Sequence, residues 1–405
     1  MLKRDEVRPA PAVHLGWMSL LAAAAGAVAV VLLRQDPFAN PDSHAFEALA
    51  RSLLAGHGFV YREPMFPSLP LYAFRSPGYS AFLALGLMWG VGAAVALQGA
   101  LHGVSAALLS GLARRWAGER AAWIAFALGL AWPAGWFYAG QLLSESFFEF
   151  TMILTVWLAL GAASRRSLAW AAITGVVATI SFLTRPTGLG PVAVIAGWLA
   201  LRFPRGALAM VLAAVVVWLP WPIRNYARLH AFVPFQTMGG VALYDSHSEQ
   251  SPDVAWDFMA QHPELGEVGL ERHFARATVD IVRGDPAGFA LRVERAAIQY
   301  VGPLDRRRGT WLHRFAMLAL LPALAWGRWR RRLALPAALW AAFGVLLVPI
   351  VVNERYRFPS EWCVIVAAAL GLTAAWERWG GRRTAALAAA GLASAIAFTL
   401  LVART

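Results

Sequence analysis

Long apolar runs alternate along the chain with short polar breaks. Runs of about the 20 residues needed to cross a bilayer fall at roughly 15–33, 92–113, 120–138, 142–162, 168–184, 188–202, 206–222, 311–327, 333–351, 357–376 and 384–403. Each predicts a helix. Together they predict an all-α polytopic membrane protein of about 11 transmembrane helices. The first run follows Lys3, Arg4 and Arg8 and is longer than a signal-peptide core, so it reads as a retained span.

The breaks between runs are basic. Arg114/Arg115/Arg120, Arg165/Arg166, Arg202/Arg205, Arg328/Arg330/Arg331/Arg332 and Arg378/Arg382/Arg383 belong on one side, the cytoplasmic one, with the N-terminus. Eleven spans keep them there only if "SPGYSAFLALGLMWG" (76–90) does not cross. That stretch is therefore expected to lie in, or dip into, the opposite membrane face. The far side then receives 34–91, 223–310 and the short turns at 138–142, 185–187 and 352–356. Residues 1–222 are expected to form a transmembrane module with a large first outer loop (34–91), 223–310 a small helical cap on the outer side, and 311–405 the C-terminal transmembrane helices. Within the cap, helical patterns around 253–262, 267–283 and 286–300 are punctuated by Pro263, Gly284 and Pro286.

Composition fits this picture. Of 405 residues, 59% are hydrophobic and 15% charged, against about 25% charged in a soluble domain. The 19 Trp suit membrane–water interfaces. A net charge of +13 raises a nucleic-acid partner, but Lys3 is the only lysine and the arginines form short clusters between apolar runs rather than one stripe. No nucleic acid is expected. Cys363 stands alone, which excludes an intrachain disulfide and a thiolate metal cluster; in its apolar run it reads as a buried thiol.

Chemistry-bearing residues collect on the far side. In "NPDSHAFEALARSLLAGHGF" (40–59), Asn40 suits an N-cap with Pro41 at the first helical position, and Asp42 sits in the first turn. Apolar residues follow at 46, 49, 50, 53 and 54, and Gly56 and Gly58 end the helix. Asp42 precedes Phe46 by four residues, so it continues the apolar stripe toward the protein body, as does His57 at the other end; His44 and Glu47 lie off it. An acid so placed fits a general base, while capping alone accounts equally for Asp42. Gln141, Glu145 and Glu149 form an i, i+4, i+8 stripe. Arg185 in "FLTRPTGLG", Arg224 and Asn225 in "PWPIRNY", and Glu354, Arg355, Tyr356, Arg357 and Glu361 in "NERYRFPSEW" mark three more turns on that side. Arginines there oppose the positive-inside bias. Converging, they suit a phosphate; singly, each could snorkel or pair with an acid. Tyr79 and Trp89 are candidates for the interface or for a sugar ring. His102 is the main ionisable residue deep in a span, which disfavours an ion-coupled transporter and leaves an acyltransferase only one catalytic histidine.

The order "PDSHAFEALARSLLAGHGF", "RSPGY", "LLSE", "TRPTGL", "PWPIRNY", "GGVALYDS", "NERYRFP" resembles the bacterial polyprenyl-phosphate-sugar-dependent membrane glycosyltransferases of the GT-C fold, relatives of protein O-mannosyltransferases and of the lipid A aminoarabinose transferase. The resemblance covers nearly the whole chain through individually short motifs. It implies inverting transfer of a hexosyl or pentosyl group from a polyprenyl-phosphate sugar to a hydroxyl acceptor, on the periplasmic face of the bacterial inner membrane. It implies Asp42 as base, Glu145 as a second catalytic acid, and Arg185, Arg224, Arg355 and Arg357 as donor-phosphate ligands. His44, His57, Arg75, Tyr79, Asn225 and Tyr356 would line the substrate groove. Relatives vary in metal dependence, so a divalent cation (Mg or Mn) is an open expectation with no diagnostic ligand spacing here. Relatives often carry a Tyr where this chain has Phe46 or His44, and its soluble part is short beside that of larger members. The competing reading is a lipid or polysaccharide transporter or flippase without chemistry, which explains the spans but not acids and arginines confined to one face.

Overall fold

In the computed structural model the described residues are 12–248, 251, 253–302, 310–350 and 353–402, and they are almost wholly helical. One two-residue antiparallel pair, Tyr61–Arg62 with Pro70–Leu71, is the sheet among them. Every apolar run of the sequence contains a helix, and among the described residues four helices, or five with one bent pair, are long and apolar enough to span. Val91–Ala117, Glu145–Arg165, Pro204–Leu229 and Glu354–Trp379 qualify, and a fifth is the pair Glu119–Ala131 and Pro133–Ala139, bent by 51°. Two of the runs break beside a proline, which lacks the N–H of the helical ladder and whose ring crowds the preceding turn. Pro133 bends the 120–138 run, and Pro322 follows the break between Thr310–Ala319 and Leu321–Ala325. Gly16–Leu32, Leu168–Thr184 and Thr310–Ala325 are apolar but shorter.

Residues 76–90 hold the helix Pro77–Leu87, 11 residues long. At 1.5 Å per residue it reaches about 16 Å, roughly half the hydrocarbon thickness. It packs against Asp42–Leu54, Val91–Ala117 and Leu168–Thr184. Gly78 lets it approach the last of these, since a Cβ there would lie 2.5 Å from Thr184 Oγ1.

The helices have two chemically distinct ends. At one, Arg166 donates to the carbonyl of Arg202 at 3.4 Å, Arg120 lies 4.6 Å from the Trp376 ring, and Arg328 pairs with Glu377. At the other, Glu145, Arg185 and Arg355 meet. Glu145–Arg165 runs from the second end to the first, about 32 Å at helical rise, which matches a bilayer core.

Besides a small alanine cluster (Ala113, Ala121, Ala125 and Ala369), two large apolar cores are found among the described residues. The larger runs through the helix bundle. The smaller joins Ala45, Leu49, Tyr61, Phe66, Leu71 and Phe74 of the first loop to Met238, Val241, Ala255, Met259, Leu270 and Phe274. Cys363 is a buried free thiol. His102 is buried against Trp136, ring centroids 4.7 Å apart, where Gly135 leaves it room.

Candidate functional site

The helix that carries Asp42 begins at Asp42 itself, with Pro41 as N-cap, one residue later than the sequence pattern predicts. Asn40 still serves the end of the helix, because its Oδ1 accepts the Asp42 N–H at 3.0 Å. The apolar stripe is buried at Phe46, Leu49 and Ala50, with Ala45 beside it, but at its far end Leu53 is half-buried and Leu54 exposed. Gly56 and Gly58 turn the chain in the left-handed region, at φ 76° and 77°. The residues beyond the stripe part company. His57 is exposed, and His44 is exposed and stacks on Phe38 with centroids 5.0 Å apart. Asp42 turns toward the body.

There it joins four charged side chains from separate elements. Asp42 Oδ1 accepts from Arg75, and Oδ2 accepts from Arg355 Nη1 at 2.6 Å. Arg355 also donates through Nε to Glu145 Oε1, which takes Arg185 Nη1 at 2.8 Å. Arg355 thus bridges the two carboxylates, and its Nη1 reaches Asn40 Oδ1 at 3.3 Å. Arg185 donates to Ser144 Oγ at 3.2 Å, and the Tyr356 ring lies 4.9 Å from its guanidinium. Arg75 rests over the Phe74 ring at 4.9 Å. Glu145 is fully buried, whereas Asp42 keeps 24% of its side-chain surface and Arg75 and Arg355 17% each. Three guanidinium groups face two carboxylates, leaving one positive charge among the five. Burial alone would raise the Asp42 carboxyl, but the charges of Arg75 and Arg355, with the Arg355 hydrogen bond and Arg185 behind them, lower it from 3.8 to about 2. The group is an ionised carboxylate at neutral pH.

Other predicted residues lie elsewhere. Arg357, two residues past Arg355, is buried and donates to Glu361 Oε1 at 2.9 Å and to the Gln299 carbonyl at 3.2 Å. Glu361 also takes Trp132 Nε1 and stands 3.3 Å from His313 Nδ1. Arg224 donates to the carbonyls of Phe59 and Tyr72 and to Asn225 Oδ1 at 2.9 Å. Asn225 is buried and donates to the Val233 carbonyl at 2.9 Å. Tyr79 is fully buried, its hydroxyl donating to Gln98 Oε1 at 2.6 Å, so it presents no ring to a groove. Gln141 precedes the helix Glu145–Arg165, so the predicted stripe is helical only from Glu145 to Glu149. Trp89 is 76% exposed.

The sequence pattern did not single out Glu267. It is buried and accepts the backbone N–H groups of Tyr72 and Ala73 at 2.6 and 2.8 Å and the Thr237 hydroxyl at 2.6 Å. A signal was available: Glu267, Leu270, Phe274 and Thr278 form the buried stripe of their helix, so Glu267 is an acid on an apolar stripe, as Asp42 is.

Among the described residues no three of His, Cys, Asp and Glu are placed to hold a metal ion. Asp42 and Glu145 are instead neutralised by guanidinium groups, so the donor set does not fit a Mg or Mn site.

No family model matches the chain, and no curated protein matches it. Solved structures do. The chain is similar to the Archaeoglobus fulgidus oligosaccharyltransferase in complex with zinc and sulfate, at 16% identity and TM-score 0.58, over 95% of this chain and 52% of that one. It is similar to the same oligosaccharyltransferase tethered with an acceptor peptide containing the NVT sequon, at 13% identity and TM-score 0.50, over 96% and 55% of the two chains. ArnT from Cupriavidus metallidurans bound to undecaprenyl phosphate aligns at 16% identity and TM-score 0.42, over 90% and 77%. The likeness to the oligosaccharyltransferase shows a shared all-α, GT-C-like membrane fold. This chain spans about half of that protein's length.

Proposed function

We propose that the chain is an inverting glycosyltransferase that moves a sugar, hexosyl or pentosyl, from a polyprenyl-phosphate-linked donor to an acceptor hydroxyl. In this reading it works from the bacterial inner membrane with its site on the periplasmic face, and the acceptor is an envelope glycan, lipid or protein. The observation that carries it is the Arg355 bridge between Asp42 and Glu145, flanked by Arg75 and Arg185, at the end of the bundle opposite the basic clusters. The fold shared with an oligosaccharyltransferase supports the reaction class.

The chemistry follows from the surplus positive charge. The donor's phosphate is drawn to Arg355 and Arg185, whose forks suit phosphate oxygens. Once Arg355 turns part of its charge to the phosphate, Asp42 loses a partner that depresses its pKa, and its carboxylate becomes a better base. The acceptor oxygen then bonds to the anomeric carbon as that carbon's bond to the phosphate oxygen breaks. Asp42 takes the hydroxyl proton, and the bonding electrons leave with the lipid phosphate, whose new charge the arginines stabilise. Glu145 holds Arg355 and Arg185 in place throughout. Arg224 and Arg357 are engaged with carbonyls and with Glu361, so Arg185 and Arg355 are the proposed phosphate ligands.

The purified protein in lipid nanodiscs, given undecaprenyl-phosphate sugars and an envelope acceptor extract, is expected to release undecaprenyl phosphate. In sealed proteoliposomes, passage of intact donor across the membrane without release would instead identify a flippase.

A further inference from the structure

We infer that Glu267, together with Arg224 and Thr237, is a positioning residue that straps the first loop so that Arg75 meets Asp42. The backbone around Tyr72 and Ala73 carries the case. Those two residues have two backbone N–H and two C=O groups, and each of the four is bound by a residue from outside the first loop. Glu267 Oε2 takes the Tyr72 N–H at 2.6 Å and Oε1 the Ala73 N–H at 2.8 Å. Arg224 donates to the Tyr72 carbonyl, and the Thr237 N–H donates to the Ala73 carbonyl at 2.8 Å. Arg224 holds the Phe59 carbonyl as well, so the strap grips both ends of the Phe59–Ala73 excursion. Arg75 follows two residues later.

The platform is itself fixed. Thr237 Oγ1 donates to Glu267 Oε1 at 2.6 Å, and the Gly240 N–H donates to Glu271 Oε2 at 2.8 Å, one helical turn along. A Cβ at Gly240 would fall 2.4 Å from the Glu271 carbonyl oxygen, so a glycine is needed for the helix Gly239–His247 to close on Gly266–Gly284. Buried charge is costly unless fully hydrogen-bonded. Burial pushes the Glu267 carboxyl above its ordinary value, and the three donors it takes, with the Arg224 guanidinium a smaller contribution, work against that. A glutamine cannot replace Glu267, because its amide NH2 would face at least one backbone N–H, donor against donor. The arrangement fixes a loop backbone and touches no reacting group.

The inference rests on the glycosyltransferase reading for its kinetic arm only. Glu267→Gln, Thr237→Val, Arg75→Ala and the Glu267→Gln/Arg75→Ala double variant are compared in full-length protein in nanodiscs. Hydrogen–deuterium exchange in peptides covering 59–76 is read alongside lipid-phosphate release. Glu267→Gln is expected to raise exchange at 72–76 and to lower kcat, up to about a hundredfold, as misplacement of a site group by an ångström does. Thr237→Val, which removes one donor of three, shifts both in the same direction by less. The double variant transfers no more slowly than Arg75→Ala alone, because Glu267 acts through Arg75. Unchanged exchange in Glu267→Gln and Thr237→Val, or rate losses that multiply in the double variant, would overturn the strap. Raised exchange with no transfer by any variant or the wild type leaves the strap standing and removes the glycosyltransferase reading.

Discussion

Arg355 and Arg357 share one four-residue helix, Glu354–Arg357, and stand at two different centres. Arg357 is sealed: it, His313 and Glu361 keep 1–3% of their side-chain surface, and its partners are a carboxylate and a carbonyl of the protein. Arg355 is shared between two acids, and Arg75, Asp42 and Arg355 around it keep 17–24%. A sealed ion pair ties helices together, and breaking it strands a buried charge. An open, over-supplied cluster can trade one partner for an incoming anion. Equal sequence motifs thus hide unequal chemistry, and exposure with partner count separates them.

The largest effect should come from the open centre. Asp42→Asn keeps the size of the side chain and removes the base, and is expected to lower turnover roughly a hundred- to ten-thousandfold with donor binding retained. Next, Arg355→Ala and Arg357→Ala should fail differently. Arg355→Ala is expected to cost about a hundred- to a thousandfold in kcat with a modest change in melting temperature. Arg357→Ala is expected to destabilise the protein by about 3–5 kcal/mol, seen as a lower melting temperature in detergent, and to spare turnover in the fraction still folded. If both variants lose turnover without losing stability, the two centres are not distinct.

A pH profile sharpens the same contrast. The Asp42 carboxyl is depressed in the folded protein to about 2. Its contribution to stability is therefore present above its unfolded value of about 3.9 and is lost as pH falls toward about 2. The acid limb of kcat/KM set by Asp42 in the free protein should be absent above about pH 4. Arg75→Ala removes one of the three charges holding the carboxyl down and leaves burial in place, so the acid limb should move up into the measurable range. An unmoved profile would separate Arg75 from Asp42. Smallest of all, His44→Ala and His57→Ala, both exposed, should change stability by no more than about 0.5 kcal/mol and leave turnover as it is.

Much of this was legible in the sequence where periodicity meets an odd residue. Asp42 on an apolar stripe pointed inward, and it is inward. Arginines gathered at one end against the usual bias, and Arg185 and Arg355 do meet the acids there. The partition among arginines was legible only for Arg357, whose i, i+4 spacing to Glu361 matches their pair, because no local spacing points from Arg355 to Glu145 and Asp42, 210 and 313 residues away. His57 shared the Asp42 stripe only on paper, since Gly56 ends the helix before it. Glu267 carried the same signal as Asp42 and could have been found by it. Where a run breaks was not legible either, because apolar composition does not register a proline that interrupts it.

The most direct test is single-turnover transfer by purified Asp42→Asn at saturating polyprenyl-phosphate sugar, with donor binding measured on the same sample. Wild-type-like binding with transfer lowered by a hundredfold or more is the predicted result. Transfer near the wild-type rate would contradict Asp42 as the base and, with it, the Arg355-bridged cluster as the place where the sugar moves.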